Sequence, residues 1–520
     1  MLKIVQIICI IHIASVIRCA NILAVFPTPS ISHQIVFRPL VNELVKRGHH
    51  VTVITPDPQY PTEQSPNNLK EINVHDISYT LWKKIVEMDK GDGNMFTSNF
   101  KSMYEIANAI FEEQIKSPEV QNLINNRKNT YDLLFVESCI RPTIGFSYLH
   151  KVPVIEISSL GPLFETYLSS TGAPINPLVY PITIRQRVNN LTFWEKISEL
   201  YTEYSFISMY IELENSENKM LKRLFGRQIP DIVQLKKNVA MIFINAHRLW
   251  DSNRPLPPNT LYIGGIHQKE TKILIVELFQ DLISFLDSSK SGVIYMSFGT
   301  NVIPSLLPTE KIQIFTKVFS KLPYDVLWKW DKDEIPGRLK NVRISKWFPQ
   351  SDLLKHPKVK LFITQGGLQS TDEAITAGVP LIGVPMTVDQ WFNVEMYVKH
   401  KIGLQLSIET ITEDILFKAI ETIIKNKSYR ENIIKLRNIL YDQPQTPLDR
   451  AVWWTEHVLR HGNAEHLRTP IARMHWTEYY ALDLVLICLS VIIVILLSAV
   501  IFIRMIVLKL KYIRGKIKIN

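Results

Sequence analysis

The chain has 520 residues, 46% hydrophobic and 21% charged, with a formal net charge of +10. This length exceeds the roughly 250–300 residues at which a single core stops growing, which excludes a one-domain protein, and the globular composition excludes a disordered or fibrous one. The basicity sits at the ends: without Lys3, Arg18 and the six cations of residues 504–520 the body keeps only about +2, which removes the main support for nucleic-acid binding.

Residues 1–20 carry Lys3, an apolar run from Ile4 to Ile17 and a short Arg18-Cys19-Ala20 exit, the pattern of a secretory signal peptide. Asn21 to Phe26 predicts a strand, Pro27 to Ser32 a turn-rich loop, and His33 to Arg47 an amphipathic helix stopped by Gly48. With His50 to Thr55 as a second strand, the chain opens on a βαβ unit, the start of a doubly wound sheet. Tyr131 to Glu137 and Lys151 to Ile157 predict further parallel strands. The tract from Leu160 to Phe225 is less regular; its aromatic residues, among them Phe164, Tyr167, Phe193, Trp194, Tyr201, Tyr204, Phe206 and Tyr210, are expected mainly in the core. An N-terminal domain over 21–270 and a linker over 271–290 follow from the loop-rich passage that begins at Pro255, Pro257 and Pro258 and ends in Ser288-Ser289-Lys290-Ser291.

A second α/β domain is expected over 291–440. Its predicted strands are Gly292 to Ser297, Asp325 to Trp330, Val342 to Trp347, Val359 to Thr364 and Leu381 to Val384, with helices near Glu310 to Leu322 and from Leu368 to Ala377. Residues 441–483 read as C-terminal helices and a juxtamembrane segment. Leu484 to Ile503 carries no charge, and 20 residues rising ~1.5 Å each match a hydrocarbon core of ~30 Å, so a transmembrane helix is expected. The cationic tail 504–520 has no acidic residue, which places it in the cytoplasm and the body in the lumen. Lys516 and Lys518 resemble a di-lysine retrieval signal, giving a single-pass type I protein of the endoplasmic reticulum membrane. The body holds one cysteine, Cys139, so no intrachain disulfide framework is available to it. Asn190 and Asn426 begin glycosylation sequons.

In open α/β sheets ligands bind beyond the carboxyl ends of the strands, and five such places in the second domain carry polar or glycine residues. Ser297-Phe298-Gly299-Thr300 offers hydroxyls and a flexible backbone to a phosphate. Trp347 is a flat surface for a base, with Gln350 able to bond its edge or the ribose. Gln365-Gly366-Gly367 leads into a helix start carrying Ser370, where unpaired N–H groups and the helix dipole favour an anion. Glu373, two turns on from Gln365, is placed to accept from ribose hydroxyls, and Asp389-Gln390 to grip the hydroxyls of a hexose.

This ordered spacing resembles the signature of the UDP-glycosyltransferases, the group that includes the UDP-glucuronosyltransferases, and in particular their animal membrane-bound, invertebrate-like branch. Phe26-Pro27, Ser32-His33, Arg47-Gly48-His49, Ile263-Gly264-Gly265, Ser297-Phe298-Gly299 and Asp442-Gln443-Pro444 extend the likeness over nearly the whole chain. The resemblance implies a GT-B fold of two facing Rossmann-like domains, acceptor bound by the first and UDP-sugar by the second, with inversion at the anomeric carbon. On matching positions it assigns Trp347 and Gln350 to uracil, Glu373 to ribose, Ser297, Thr300, Gln365, Gly366 and Ser370 to the diphosphate region, and Asp389 and Gln390 to the sugar. It also makes His33 the base, at a helix start where the dipole disfavours imidazolium.

Two positions depart from the pattern that the resemblance implies. Glu137 stands at the end of its strand where vertebrate members carry aspartate to fix the base, with Asp132 at the opposite end of that strand as the alternative, and Gln365 stands where many relatives have histidine. Glutamine still donates a hydrogen bond but adds no positive charge. Asp331-Lys332-Asp333 has the form of a metal-diphosphate motif of another glycosyltransferase fold, yet the helix N-terminus already serves the phosphates, so neither a metal nor another cofactor is expected. The invertebrate-like departures favour UDP-glucose over UDP-glucuronate as donor. The expected partners are this donor, a small lipophilic acceptor and the lipid around one span; nucleic acid is not among them, and the sequence does not specify an oligomer. The competing reading is a non-catalytic lipophile-binding or receptor-like membrane protein on the same fold.

Overall fold

The computed structural model describes residues 19–517 except 89–95, 127–129, 163–170, 175, 182, 184, 186–189, 269–279, 301 and 338. The signal segment up to residue 18, Phe164, Tyr167, residues 271–279 of the expected linker and Lys518 lie outside the described residues. Two parallel sheets organise the rest. The first joins β1 (Asn21–Val25), β2 (His50–Thr55), β3 (Leu69–Asn73), β4 (Leu133–Glu137), β5 (Val154–Ser158), β6 (Val239–Ile244) and β7 (Thr260–Tyr262) in the order β3-β2-β1-β4-β5-β6-β7. The second joins β8 (Val293–Ser297), β9 (Asp325–Lys329), β10 (Val342–Ser345), β11 (Val359–Thr364), β12 (Leu381–Gly383) and β13 (Gly403–Gln405) in the order β10-β9-β8-β11-β12-β13.

Strands such as β4, with the sequence Leu-Leu-Phe-Val-Glu, are buried along their whole length because helices cover both faces of each sheet. Along β1 the pleat sends Leu23 and Val25 to one apolar layer and Ile22 and Ala24 to the other. Each such aliphatic side chain contributes about 1.5–3 kcal/mol on burial, so these layers dominate the stability of a body without disulfides. Both sheets reverse their strand order at one place, between β1 and β4 in the first and between β8 and β11 in the second. The crevices beyond these two pairs of strand ends are where such sheets accept ligands.

Three regions differ from the sequence reading. The helix Ile31–Lys46 starts two residues before His33, which places that histidine in its first turn. The tract read as irregular contains a single 33-residue helix, Phe193–Phe225, opened by a capping box in which Thr192 Oγ1 accepts from Glu195 N and the Glu195 carboxylate accepts from Thr192 N. Phe206 and Tyr210 are core residues packed on Phe100 and Tyr104, but Phe193, Trp194, Tyr201 and Tyr204 are exposed, so the aromatic tract divides instead of lying mainly in the core. From residue 280 on, the expected linker is the helix Gln280–Ser288, whose Leu282 and Leu286 join the second core.

The helix Pro447–His461 returns to the first sheet, where Ala451, Val452 and Val458 share a core with the helix Ile31–Lys46. It thereby straps the two halves together. Leu482–Arg514 is the only helix among the described residues long and apolar enough to cross a membrane; it contains the expected span, and Lys516 follows in the same helix. Asn190 and Asn426 are both exposed.

Candidate active site

The wall formed by the second sheet begins where β11 ends. Gly366 has φ +95° and a Cβ there would stand 2.5 Å from Val394, so this turn admits only glycine. Asn393 Nδ2 donates to Gly366 O and to Asp389 Oδ2, each at 2.9 Å, while Asn393 Oδ1 accepts from Trp250 Nε1 at 2.8 Å. Gly367 leads into the helix Leu368–Ala377 with no side chain capping it, which leaves the positive end of that helix free for an anion. The loop after β8 faces this turn. Gly299 has φ +73°, and a Cβ on it would meet Gln365 Nε2 at 2.2 Å, so the Gln365 amide lies directly against that loop. Ser297 Oγ accepts from Gly299 N at 3.3 Å, and Thr300 is exposed at the loop's edge.

Next to this turn a polar network is already closed. Gln350 Nε2 donates to Ser370 Oγ at 2.9 Å and to Glu373 Oε2 at 2.7 Å, and Gln350 Oε1 accepts from Tyr295 OH at 3.1 Å. Ser370 and Glu373 meet the same amide because residues three apart share a helix face. Burial raises the Glu373 pKa to about 7, the Gln350 bond opposing it. Trp347, 56% exposed, presents its ring to the cleft, with Lys329 Nζ 4.9 Å from the ring centroid.

Asp389 and Gln390 are both buried at the head of the helix Gln390–Lys399. Burial lifts the Asp389 pKa to about 6, against the Asn393 hydrogen bond and the nearby His33. The Gln390 amide is engaged by its own loop: Oε1 accepts from Met386 N and Thr387 N, and Nε2 donates to Thr387 Oγ1. It holds Val388, a β-branched residue at φ 47°, in the left-handed region that such side chains avoid. Gln390 therefore shapes the loop that carries Asp389.

On the opposite wall, His33 Nδ1 lies 2.6 Å from Glu137 Oε1 and 2.9 Å from Ser159 Oγ. An ionised carboxylate only accepts, so the proton sits on Nδ1 and the Nε2 lone pair is free; no hydrogen bond engages Nε2 among the described residues. Glu137 is fully buried, and its second oxygen accepts from Thr28 N at 3.2 Å. β1 and β4 are neighbours, which brings His33 and Glu137, separated by 104 residues in sequence, together at the crevice of the first sheet. The added methylene of glutamate relative to aspartate does not prevent this contact. Gln34 pins the preceding loop by donating to Phe26 O and Thr28 O.

His33 and the residues of the second-sheet wall line one cleft of about 1560 Å³. Sequence reading missed four side chains that assemble it: Ser159, Asn393, Lys329 and Gln369, whose Nε2 donates to Ser159 O at 3.1 Å across the two halves. Each acts on backbone or on residues far away in the chain, which no local pattern encodes. The Asp331 carboxylate accepts from Ser305 N and Oγ and Asp333 pairs with Lys346, so the two carboxylates face different partners. Cys139 comes near His33 and Glu137, with one ligand atom of each within 4.8 Å. The 2.6 Å contact between His33 and Glu137 is nonetheless a hydrogen bond, shorter than the ~3.3 Å between two ligands on one tetrahedral zinc.

Comparison with known proteins gives the family and the fold. The family described as UDP-glucoronosyl and UDP-glucosyl transferase matches residues 21–517. The chain is 36% identical over 506 residues to an ecdysteroid UDP-glucosyltransferase of Spodoptera littoralis nuclear polyhedrosis virus, across 93% of this chain and 97% of that one. It is 34% identical over 482 residues to UDP-glucosyltransferase 2 of Dactylopius coccus, across 90% and 89% of the two. Among solved structures, the glycotransferase of kitacinnamycin superposes with a TM-score of 0.54 at 18% identity, covering 85% of this chain and 99% of its own. Arabidopsis thaliana UGT89C1 in complex with UDP-L-rhamnose gives 0.52 at 15% identity, with coverage of 85% and 99%. At such identities these two show the shared GT-B fold. The chain is a UDP-glycosyltransferase and belongs to the UDP-glucuronosyl and UDP-glucosyl transferase family.

Proposed function

We propose that this enzyme transfers glucose from UDP-glucose to a hydroxyl of a small lipophilic acceptor, with inversion and with His33 as the base. The observation that carries the reading is the His33 imidazole, fixed through Nδ1 by buried Glu137 and open at Nε2, on the wall of the cleft opposite Asp389. Nε2 takes the proton of the acceptor hydroxyl as its oxygen attacks the anomeric carbon. The bond from that carbon to the diphosphate oxygen breaks on the far face, and UDP leaves with the electron pair. Glu137 steadies the imidazolium that forms.

In this reading Trp347 and Gln350 hold uracil and Glu373 the ribose. Ser297, Gly299, Thr300, Gln365, Gly366, Gly367 and Ser370 surround the diphosphate, and Asp389, supported by Gln390, meets the sugar. A carboxylate at that place favours the neutral hydroxyls of glucose over the acid of glucuronate, as do the names of the two relatives. Phe100, Met103, Tyr104, Ile140 and Leu160 give the acceptor an apolar wall, which suits a steroid or a phenol; the viral relative is named for a steroid. The helix Leu482–Ile517 anchors the enzyme as a type I protein of the endoplasmic reticulum membrane, with the cleft lumenal, residues 21–270 taking the acceptor and 291–440 the donor.

Microsomes containing the full chain, offered each UDP-sugar with a panel of steroids and phenols, test this. A UDP-glucose-dependent β-glucoside, identified by NMR, is expected. Retained UDP binding with no turnover of any UDP-sugar contradicts it and supports the non-catalytic lipophile binder instead.

A further inference from the structure

We propose that Lys329 is the counter-ion of the donor's diphosphate, supplying the positive charge that Gln365 does not; the proposal rests on the cleft being a UDP-sugar site. Lys329 ends β9, the strand beside β8, so its side chain rises next to the loop after Ser297. Its ammonium donates to Gly299 O at 2.7 Å and stands 4.9 Å from the Trp347 ring centroid. The nitrogen thus sits between the loop proposed for the phosphates and the ring proposed for the base.

No carboxylate lies within ion-pair distance of Lys329 among the described residues, and loss of water alone pulls its pKa below the ordinary lysine value. A cation so placed is an incomplete pair, which an anionic ligand completes. Lys329 is also the only lysine or arginine that the C-terminal sheet and its loops bring to the cleft lining among the described residues; the other two, Arg38 and Lys46, come from the helix carrying His33. The donor brings two negative charges, and the leaving UDP gains more as the glycosidic bond breaks. The helix N-terminus at Gly367 meets part of this charge through N–H groups, and Lys329 meets it with a full charge from the opposite loop.

The test compares full-length wild type, Lys329→Met and Lys329→Arg in detergent, by calorimetric titration with UDP, UMP and uridine and by steady-state kinetics with UDP-glucose. Lys329→Met is expected to weaken UDP by about 10–100-fold, UMP by less and uridine by under about 2-fold, as for the loss of one charge-assisted contact. Lys329→Arg is expected to restore UDP to within about 3-fold, and the UDP affinity of wild type, unlike that of Lys329→Met, to fall with added salt. Equal weakening of UDP and uridine assigns Lys329 a purely structural role through Gly299 and Trp347 and overturns the proposal, as does an unchanged UDP affinity. Failure of wild type itself to bind UDP overturns the donor-site reading together with this one.

Discussion

On the wall of the second sheet, Gln350, Ser370, Glu373 and Tyr295 bond one another, and Asn393 ties Asp389 to the glycine turn. On the opposite wall the cluster of His33, Glu137 and Ser159 is set among apolar side chains such as Phe100, Met103 and Leu160, with Arg38 and Lys46 farther along the His33 helix. A closed polar network fixes its members within hydrogen-bond tolerances and so demands one ligand shape, whereas apolar contacts are non-directional and accept many. The contrast predicts an enzyme strict about its nucleotide and tolerant of its acceptor. It also predicts how substitutions divide: changes around His33 lower kcat, and changes on the nucleotide wall raise the KM for the donor.

Glu137→Ala gives the largest effect among the supporting residues. It frees the imidazole to take the wrong tautomer and leaves Thr28 N without its acceptor, so kcat is expected to fall about 100–1000-fold with little change in UDP affinity. Glu137→Asp shortens the reach and is expected to cost about 10-fold, measured in the same assay. A rise in KM for UDP-glucose with kcat unchanged breaks the division between the walls.

Asp389→Asn tests the wall of the second sheet and carries a stability signature. The folded pKa of about 6 lies above the ordinary 3.8, so the native state binds a proton more readily than the unfolded chain. The stabilisation this confers is complete below the unfolded pKa and lost as pH rises through about 6. Asparagine removes the buried charge, so at pH 7.5 the variant is expected to be more stable than wild type by up to about 3 kcal/mol and to melt higher, with the gap closing towards pH 4. Its kcat/KM for UDP-glucose is expected to fall about 10–100-fold, and wild-type KM to rise as pH drops below about 6. A melting curve unchanged at pH 7.5 removes the buried-charge explanation.

Trp347→Ala is the smallest of the set. One lost base–aromatic stack is worth about 1–3 kcal/mol, so KM for UDP-glucose is expected to rise about 10-fold with kcat nearly constant. Equal loss in kcat places the ring in contact with the reacting sugar instead.

The wall proposed for the donor was more legible in the sequence than the wall proposed for the acceptor, for the same physical reason. β11 and the helix Leu368–Ala377 have the predicted bounds because an apolar run, a glycine turn and Gly378 at φ 69° are local signals. β7 and β13, three residues each, are too short to show a period. The helix Phe193–Phe225 escaped the periodicity because half its apolar residues face solvent, although Thr192 and Glu195 spell its capping box. Contacts such as Gln369 with Ser159, 210 residues apart, exist only once both sheets have folded and met.

The role of His33 as base is decided by turnover and UDP affinity of His33→Ala, measured on the same preparation of the full chain with UDP-glucose and an acceptor that wild type glucosylates. A fall in kcat of about 1000-fold or more is expected, with the dissociation constant for UDP within about 2-fold of wild type. Undiminished turnover contradicts it.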